Sequence, residues 1–398
     1  MVRTFSSLLC TLTRTANATV STALTHRYVL RAYRPSFIPK RHALSSTSSS
    51  LQKQPKRHQI LVVGAGRMGH IRAAAFYGSR SSLLAGIVDS DPVKAQELAH
   101  IYHTPFFSDV TSALRALPEL SGVWICTPTP CHRESLKEVI GAGLAVGIEK
   151  PVGTSQKEIH ECYDSAAAAE QRRGGKTGRN VPLYCSFQRR IDPSYVNLLK
   201  RVRDGEIGEV RSVHAVFRDH PVPSLEFLKL GGDIFHDLVV HDADYIMHLL
   251  QATPSSIYAL GSSFHPSLRA HQIFDSANVL LHFEKSAVIA TIELSRSSPI
   301  GGYDQRIEVC GTKGVLEIKN ELTTHTVCSS MGGGRSEAIP VNSFPERFAR
   351  AYGMEVEEFI DVIEGKKEPM VTKGDSLNST RIAEACGLSV QKGGPVPF

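Results

Sequence analysis

The sequence predicts a doubly wound parallel α/β sheet followed by an α+β domain with an open, mostly antiparallel sheet. Two patterns predict it. From residue 59 to about 188, short apolar runs alternate with segments of helical spacing, the order that builds βαβ units. Beyond 188, strand-like runs follow one another directly, and two pairs are separated by three residues only, as hairpins require. A chain of 398 residues is long enough to bury two such cores, placed at 56–188 and 189–398.

Residues 1–55 stand apart from that scheme. Residues 1–58 hold ten Lys and Arg, and the first acidic residue of the chain is Asp89. The rest carries 35 basic against 39 acidic residues, so the formal charge of +6 belongs to the leader and gives no reason to expect nucleic acid as a partner. Rich in Ser, Thr, Ala and Arg without acid, the leader reads as a mitochondrial or plastid transit peptide. A disordered extension on a cytoplasmic protein is the alternative. No run approaches the ~20 apolar residues of a membrane span. The eight cysteines form no C-x-x-C pair, which favours a reducing compartment over a disulfide or zinc framework.

The folded part opens with Ile60-Leu61-Val62-Val63, an apolar run of the kind buried on both faces of a parallel sheet. Helical spacing follows over 68–77, then strand 83–89, helix 92–102, strand 123–127, helix 132–142, strand 145–149, helix 156–170 and strand 182–187. Residues 172–180 form a basic, Gly-rich loop. In the second half, strands are expected at 210–217, 256–260, 277–283, 287–294, 305–310 and 314–318, with helices at 237–250 and 355–363.

Gly64-Ala65-Gly66-Arg67-Met68-Gly69 fits G-x-G-x-x-G between the first strand and the first helix. Gly64 permits the tight turn, Gly66 lets backbone approach a pyrophosphate, and Gly69 lets helix and strand pack closely. The helix N-terminus, with Arg67 and Met68 in its first turn, offers free N–H groups to phosphate. Asp89 ends the second strand, where an acid binds the adenosine ribose hydroxyls; its carboxylate repels a 2′-phosphate and favours NAD over NADP. Arg67 and Ser90 leave NADP open. Thr127-Pro128-Thr129-Pro130 ends the third strand of the alternation and turns the chain out at the ligand-binding edge of the sheet. Thr127, Thr129 and His132 are candidate cofactor contacts, with a plain turn as the competing reading.

Glu149-Lys150-Pro151 closes the strand 145–149, placing a lysine at the same edge. Alone, such a lysine is usually a solvated surface residue. Its counterpart is the segment 231–244, in which a helix would put Asp237, His241 and Asp244 on one face. An Asp one turn before a His can orient the imidazole. Oxidation of an alcohol releases a proton that a His near neutrality can take, while a lysine ammonium steadies the alkoxide. A polar helix face without chemistry competes, as does a divalent metal held by His236, His241, Asp244 and His248. The metal reading fits poorly because His236 and His241 lie about 140° apart around a helix, so the expectation is no metal.

With these motifs in hand, the sequence from residue 59 onward resembles the glucose–fructose oxidoreductase / inositol dehydrogenase (Gfo/Idh/MocA) family. The resemblance rests on residues 64–69, Asp89, Glu149-Lys150-Pro151, Phe187-Gln188-Arg189-Arg190-Ile191-Asp192-Pro193, Gly205-Glu206-Ile207-Gly208 and residues 231–244. Within the family it is most like the myo-inositol 2-dehydrogenases. The resemblance implies a Rossmann domain binding NAD, with Glu149 and Lys150 among its contacts, and a catalytic set of Lys150, Asp237 and His241. Lys150, Arg189, Asp219, Asp237, His241 and Tyr303 would meet a polyol or sugar. Gln188 and His220 depart from the usual pattern where substrate is chosen. The expected reaction is oxidation of a ring hydroxyl to a ketone; other sugar or dihydrodiol dehydrogenases or reductases of the family, and a non-enzymatic dinucleotide sensor, are the alternatives. A homodimer or tetramer would cover the open sheet.

Overall fold

The computed structural model describes residues 57–172, 182–230, 233–329, 331 and 335–398. The leader, the glycine-rich loop over 173–181 and Gly231-Gly232 lie outside the described residues.

Strands β1 (His58–Val63), β2 (Ser82–Val88), β3 (Phe106–Phe107), β4 (Leu120–Ile125), β5 (Ala145–Glu149) and β6 (Leu183–Ser186) form one parallel sheet in the order β3-β2-β1-β4-β5-β6. The order reverses between β1 and β4, which opens a crevice beyond their carboxyl ends. β4 begins at Leu120, earlier than its apolar run indicates, because Leu120 and Gly122 pair with Gln59 and Ile60 of β1. The two-residue β3 and the helix Val110–Ala116 are too short to leave a periodic signal.

Both faces of this sheet are buried, as the unbroken apolar strands require. One face packs Leu61, Val63, Val123 and Ile125 against Leu136, Val139 and Ile159 from the following helices. On the other, Trp124 is fully buried, edge-on to Phe76 and Phe359. Phe359 comes from the helix Ala349–Ile363, so the chain returns from the second half to close the first sheet. Gly147 makes that packing possible, since a Cβ there would lie 2.2 Å from the Trp124 ring.

The second sheet holds seven strands in the order β12-β11-β7-β10-β9-β8-β15: β7 (Val210–Arg218), β8 (Ser256–Ser262), β9 (Ser276–Phe283), β10 (Val288–Ser295), β11 (Asp304–Gly311), β12 (Val315–Ile318) and β15 (Val396–Pro397). A small hairpin, β13 (Val327–Ser329) and β14 (Arg335–Glu337), lies outside it. Both short connections make the expected hairpins, β9–β10 through residues 284–287 and β11–β12 through 312–314. One pair breaks the antiparallel pattern: β7 and β10 run parallel, with Arg218 opposite Ser295. Beside β7, β11 runs antiparallel, with Asp304 opposite Arg218. Asp219, Arg296 and Tyr303 therefore leave one end of the sheet side by side, and Asp219 N–H donates to the Ser295 carbonyl at 2.9 Å.

The segment expected as one helix over 237–250 is a π-helical turn, Phe235–Val239, running into the α-helix Val240–Leu250. A helix the sequence pattern did not reveal, Lys373–Lys392, starts at a Thr372/Asp375 capping box and packs along β8, where Ser389 Oγ accepts from Ala259 N–H. Residues 57–398 form a single compact unit. Among the described residues no helix is long and apolar enough to cross a membrane.

Candidate active site

The glycine turn has the geometry its sequence implies. Gly64 adopts φ +100°, and a Cβ there would lie 2.8 Å from the Cys126 carbonyl; one on Gly69 would lie 1.9 Å from the Gly64 oxygen. A Cβ on Gly66 would meet no protein atom within 4 Å. The space over Gly66 is the room a pyrophosphate needs. Asp89 is locked beneath it, its Oδ2 accepting from Ala65 N–H at 2.7 Å and its Oδ1 from Asp91 N–H at 2.8 Å. Each oxygen keeps a lone pair for a ribose hydroxyl. Thr127 Oγ, just after β4, is buried without a partner among the described residues, which fits a polar group of a dinucleotide. These residues fit NAD.

Met68 instead packs against the apolar face that carries Trp124. Arg67 reaches away from the turn, its guanidinium 4.5 Å from the centre of the Phe344 ring and 5.7 Å from that of Phe227. Thr129 lies half-buried in a 3-10 turn ending at Cys131.

Two expected cofactor contacts are corrected. His132 is buried with its ring nitrogens against two main-chain carbonyls, Nδ1 at 3.0 Å from Pro151 O and Nε2 at 2.8 Å from Thr127 O. With one N–H donated to either carbonyl and the ring wedged between the two, His132 braces the β4 loop against the β5 loop. Burial lowers its pKa, partly offset by those carbonyls. Glu149 turns inward, its Oε1 accepting from Arg72 Nε at 2.6 Å and Trp124 Nε1 at 2.9 Å. Arg72 is fully buried and also donates to Glu355 at 2.7 Å and Ser186 at 2.6 Å. The only sequence trace of this network is a charged residue inside the apolar run Ile71-Arg72-Ala73.

Across the crevice, Lys150, following β5, donates Nζ–H to the Asp237 carbonyl at 2.8 Å and lies 3.4 Å from Asp237 Oδ1. An ammonium has three protons, so one stays free for a ligand. The other Asp237 oxygen, Oδ2, accepts from Arg296 Nη1 at 2.5 Å. Burial alone would raise the Asp237 pKa, but Lys150 and Arg296 hold it below the usual carboxylate range. Asp219 is pushed up to about 6 by burial and by the charge on Asp237, against the pull of Arg67, Arg296 and Lys150.

The expected Asp237–His241 pair does not form. Asp237 spends its oxygens on Lys150 and Arg296, and His241 Nδ1 is buried with no hydrogen-bond partner. The imidazole instead stands between the edges of Phe187 and Phe217, with ring centres 6.2 and 6.3 Å away. Burial, then the charges of Lys150 and Arg189, drive its pKa well below the ordinary value, favouring the neutral imidazole.

Asp244, predicted on the same face, is also corrected. It is buried in a two-point pair with Arg190, at 2.7 and 2.8 Å, anchoring the helix to the turn Gln188–Arg190. His236 Nδ1 is likewise held by Asp233 at 2.8 Å. Arg189 is 1% exposed, stacked between Phe217 and Phe348, paired with Asp242 at 3.3 Å and bonded to Gln305. It forms the wall behind His241 and Tyr303, itself buried edge-on to Phe217. Gln188 is buried in the same turn, and His220 Nδ1 is held 2.8 Å from the Asn342 carbonyl. Arg296 is the residue of the site that sequence reasoning missed, and Arg72 and Glu355 are the missed members of the network that fixes Glu149.

Comparison with known proteins agrees with this geometry. Residues 58–174 match the model of an oxidoreductase family with an NAD-binding Rossmann fold, and residues 195–317 match the GFO/IDH/MocA C-terminal domain. The chain is 30% identical over 330 residues to an inositol 2-dehydrogenase of Rhizobium meliloti, covering 83% of this chain and 96% of that one. It is 31% identical over 344 residues to a scyllo-inositol 2-dehydrogenase (NAD(+)) of Bacillus subtilis, covering 85% and 96%. The crystal structure of a myo-inositol dehydrogenase from Corynebacterium glutamicum superposes with a TM-score of 0.77 at 25% identity, over 86% of this chain and 99% of that one.

Proposed function

Because this chain belongs to the GFO/IDH/MocA oxidoreductase family, we propose that it oxidises a ring hydroxyl of a cyclitol to a ketone, as the inositol 2-dehydrogenases similar to it do by name. The observation that carries this reading is a lysine with a spare ammonium proton at the sheet edge that also carries the glycine turn, fixed on Asp237 and close enough for its charge to act on the buried His241 imidazole. Bound NAD+ supplies the hydride acceptor. Glycines 64, 66 and 69, with Asp89, Thr127 and Thr129, hold the dinucleotide. Lys150 binds the reacting oxygen and steadies its negative charge, Asp237 fixes Lys150, and His241 takes the hydroxyl proton. Asp219, beside Lys150 and Asp237, binds a further ring hydroxyl, and Arg189 and Tyr303 shape the wall behind it.

A panel of cyclitols and sugars offered with NAD+ and NADP+, read by absorbance of the reduced cofactor, tests the proposal. Turnover of an inositol with NAD+ supports it; absence of cyclitol turnover, or activity on aldoses or dihydrodiols only, overturns it.

Two further features belong to this reading. The outer face of the second sheet exposes Leu260, Leu280 and Ile289 on three neighbouring strands, which a second copy of the chain would cover. Light scattering that finds a monomer excludes the homo-oligomer. Residues 1–55 act as an organelle-targeting leader; an uncleaved N-terminus on protein recovered from mitochondria or plastids, or a purely cytoplasmic location, overturns that assignment.

A further inference from the structure

We propose that Arg296 is a positioning residue for the reaction: it takes one carboxylate oxygen of Asp237 and so leaves Lys150 free to engage the substrate oxygen. The inference rests on the proposed dehydrogenation, in which Lys150 and His241 act on that oxygen.

The geometry is one-sided. Arg296 is 1% exposed, and among the described residues the hydrogen bond its side chain makes is Nη1–H to Asp237 Oδ2 at 2.5 Å. Its Nε is buried with no acceptor. Burying a guanidinium is costly, and leaving an N–H unpaired adds to that cost. The fold contrasts this with Arg72, whose nitrogens reach Glu149, Glu355 and Ser186. Arg296 is placed instead by β10, which runs parallel to β7 and delivers it beside Asp219, and by its own N–H, which donates to the Asp275 carbonyl at 2.7 Å.

The consequence falls on Lys150. With Oδ2 held by Arg296, Asp237 offers Lys150 only Oδ1, at a loose 3.4 Å, together with its main-chain carbonyl. Without Arg296, both oxygens and the whole carboxylate charge would turn to the one ammonium, drawing its free proton inward. Arg67, Asp219 and His241 complete the set of titratable or charged groups facing this pair.

The test uses the full chain with Arg296→Gln, Arg296→Lys, Asp237→Asn and the Arg296→Gln/Asp237→Asn double variant. Urea unfolding and NADH fluorescence titration establish the folded, cofactor-competent fraction. We expect Arg296→Gln to lower kcat on the order of 10-fold to 100-fold with KM nearly unchanged and to move the acid limb of the pH profile upward, while Arg296→Lys recovers part of kcat. The double variant should be no slower than Asp237→Asn alone, because Arg296 acts through Asp237; a purely structural role gives additive losses. Competitive labelling of lysines with acetic anhydride, read by peptide mass spectrometry, needs no substrate, and Lys150 should react at least about 3-fold more slowly in Arg296→Gln. Unchanged labelling, unchanged kcat or additive losses overturn the proposal. Slower Lys150 labelling in a protein that oxidises no cyclitol keeps the Arg296 role and overturns the cyclitol reading alone.

Discussion

Two buried charge networks lie within this one fold, and they are built to different rules. Around Arg72, a fully buried guanidinium is bonded to Glu149, Glu355 and Ser186 and stacked 4.3 Å over Trp124. Around Asp237, the Arg296 Nε and the nearby His241 Nδ1 have no partner among the described residues, and Lys150 touches Oδ1 only loosely. Unmade hydrogen bonds in a buried site are expensive. The satisfied network is architecture. The unsatisfied one surrounds the residues proposed as the catalytic machinery.

The contrast breaks first if the machinery can be removed without loss of turnover. Lys150→Ala and His241→Ala should each lower kcat on the order of 10³-fold, about 4 kcal/mol of transition-state stabilisation, with NADH affinity nearly unchanged. Steady-state kinetics beside NADH fluorescence titration checks both halves; full activity in either variant sinks the dehydrogenase mechanism.

Arg72→Met probes the opposite network. It strands Glu149 and Glu355 as buried acids and should cost about 3 kcal/mol of folding stability in urea denaturation. Turnover per folded molecule should stay close to wild type. A large loss of kcat in well-folded Arg72→Met would erase the distinction between the two networks.

Glycine substitutions sharpen the comparison within the cofactor turn. Gly66→Ala adds a methyl where no protein atom lies within 4 Å, so it should fold normally yet lose NADH affinity by roughly 10-fold, about 1.4 kcal/mol. Gly69→Ala drives a methyl into the Gly64 carbonyl and should lower stability as well as affinity. Normal NADH binding by Gly66→Ala would show that the pyrophosphate lies elsewhere.

The smallest effect concerns Asp219, whose folded pKa of about 6 stands above the ordinary carboxyl value of 3.8. A raised folded pKa means the fold prefers the protonated acid. The stability this gives is fully present below about pH 4 and is lost as pH rises through 6. Asp219→Asn cannot lose it. Its Tm relative to wild type should therefore improve by roughly 1–3 °C between pH 4.5 and pH 8, while cyclitol turnover falls. A pH-independent difference in Tm would mean that Asp219 is not strained by the charge beside it.

The amino-acid sequence by itself determined the parallel sheet, the glycine turn, Asp89 and the hairpins of the second half. Each is a local matter: apolar runs, turn chemistry and residue spacing act over a few positions. It also identified Lys150 and His241, because their immediate sequence surroundings resemble a known family. Only tertiary structure decided how the charges pair. Asp237 and His241 look like partners one turn apart, yet the π-helical turn and the arrival of Arg296 from β10 give the carboxylate to the arginine and the lysine. His132 and Glu149 look like ligand contacts at strand ends, yet Pro151 and Arg72, 19 and 77 residues away, claim them first. The Lys373–Lys392 helix, its two interior glycines weakening the local signal, is held by packing along β8. A buried charge is settled by whichever opposite charge the fold brings within 3 Å, and that neighbour is set by the parallel pairing of two strands far apart in the chain.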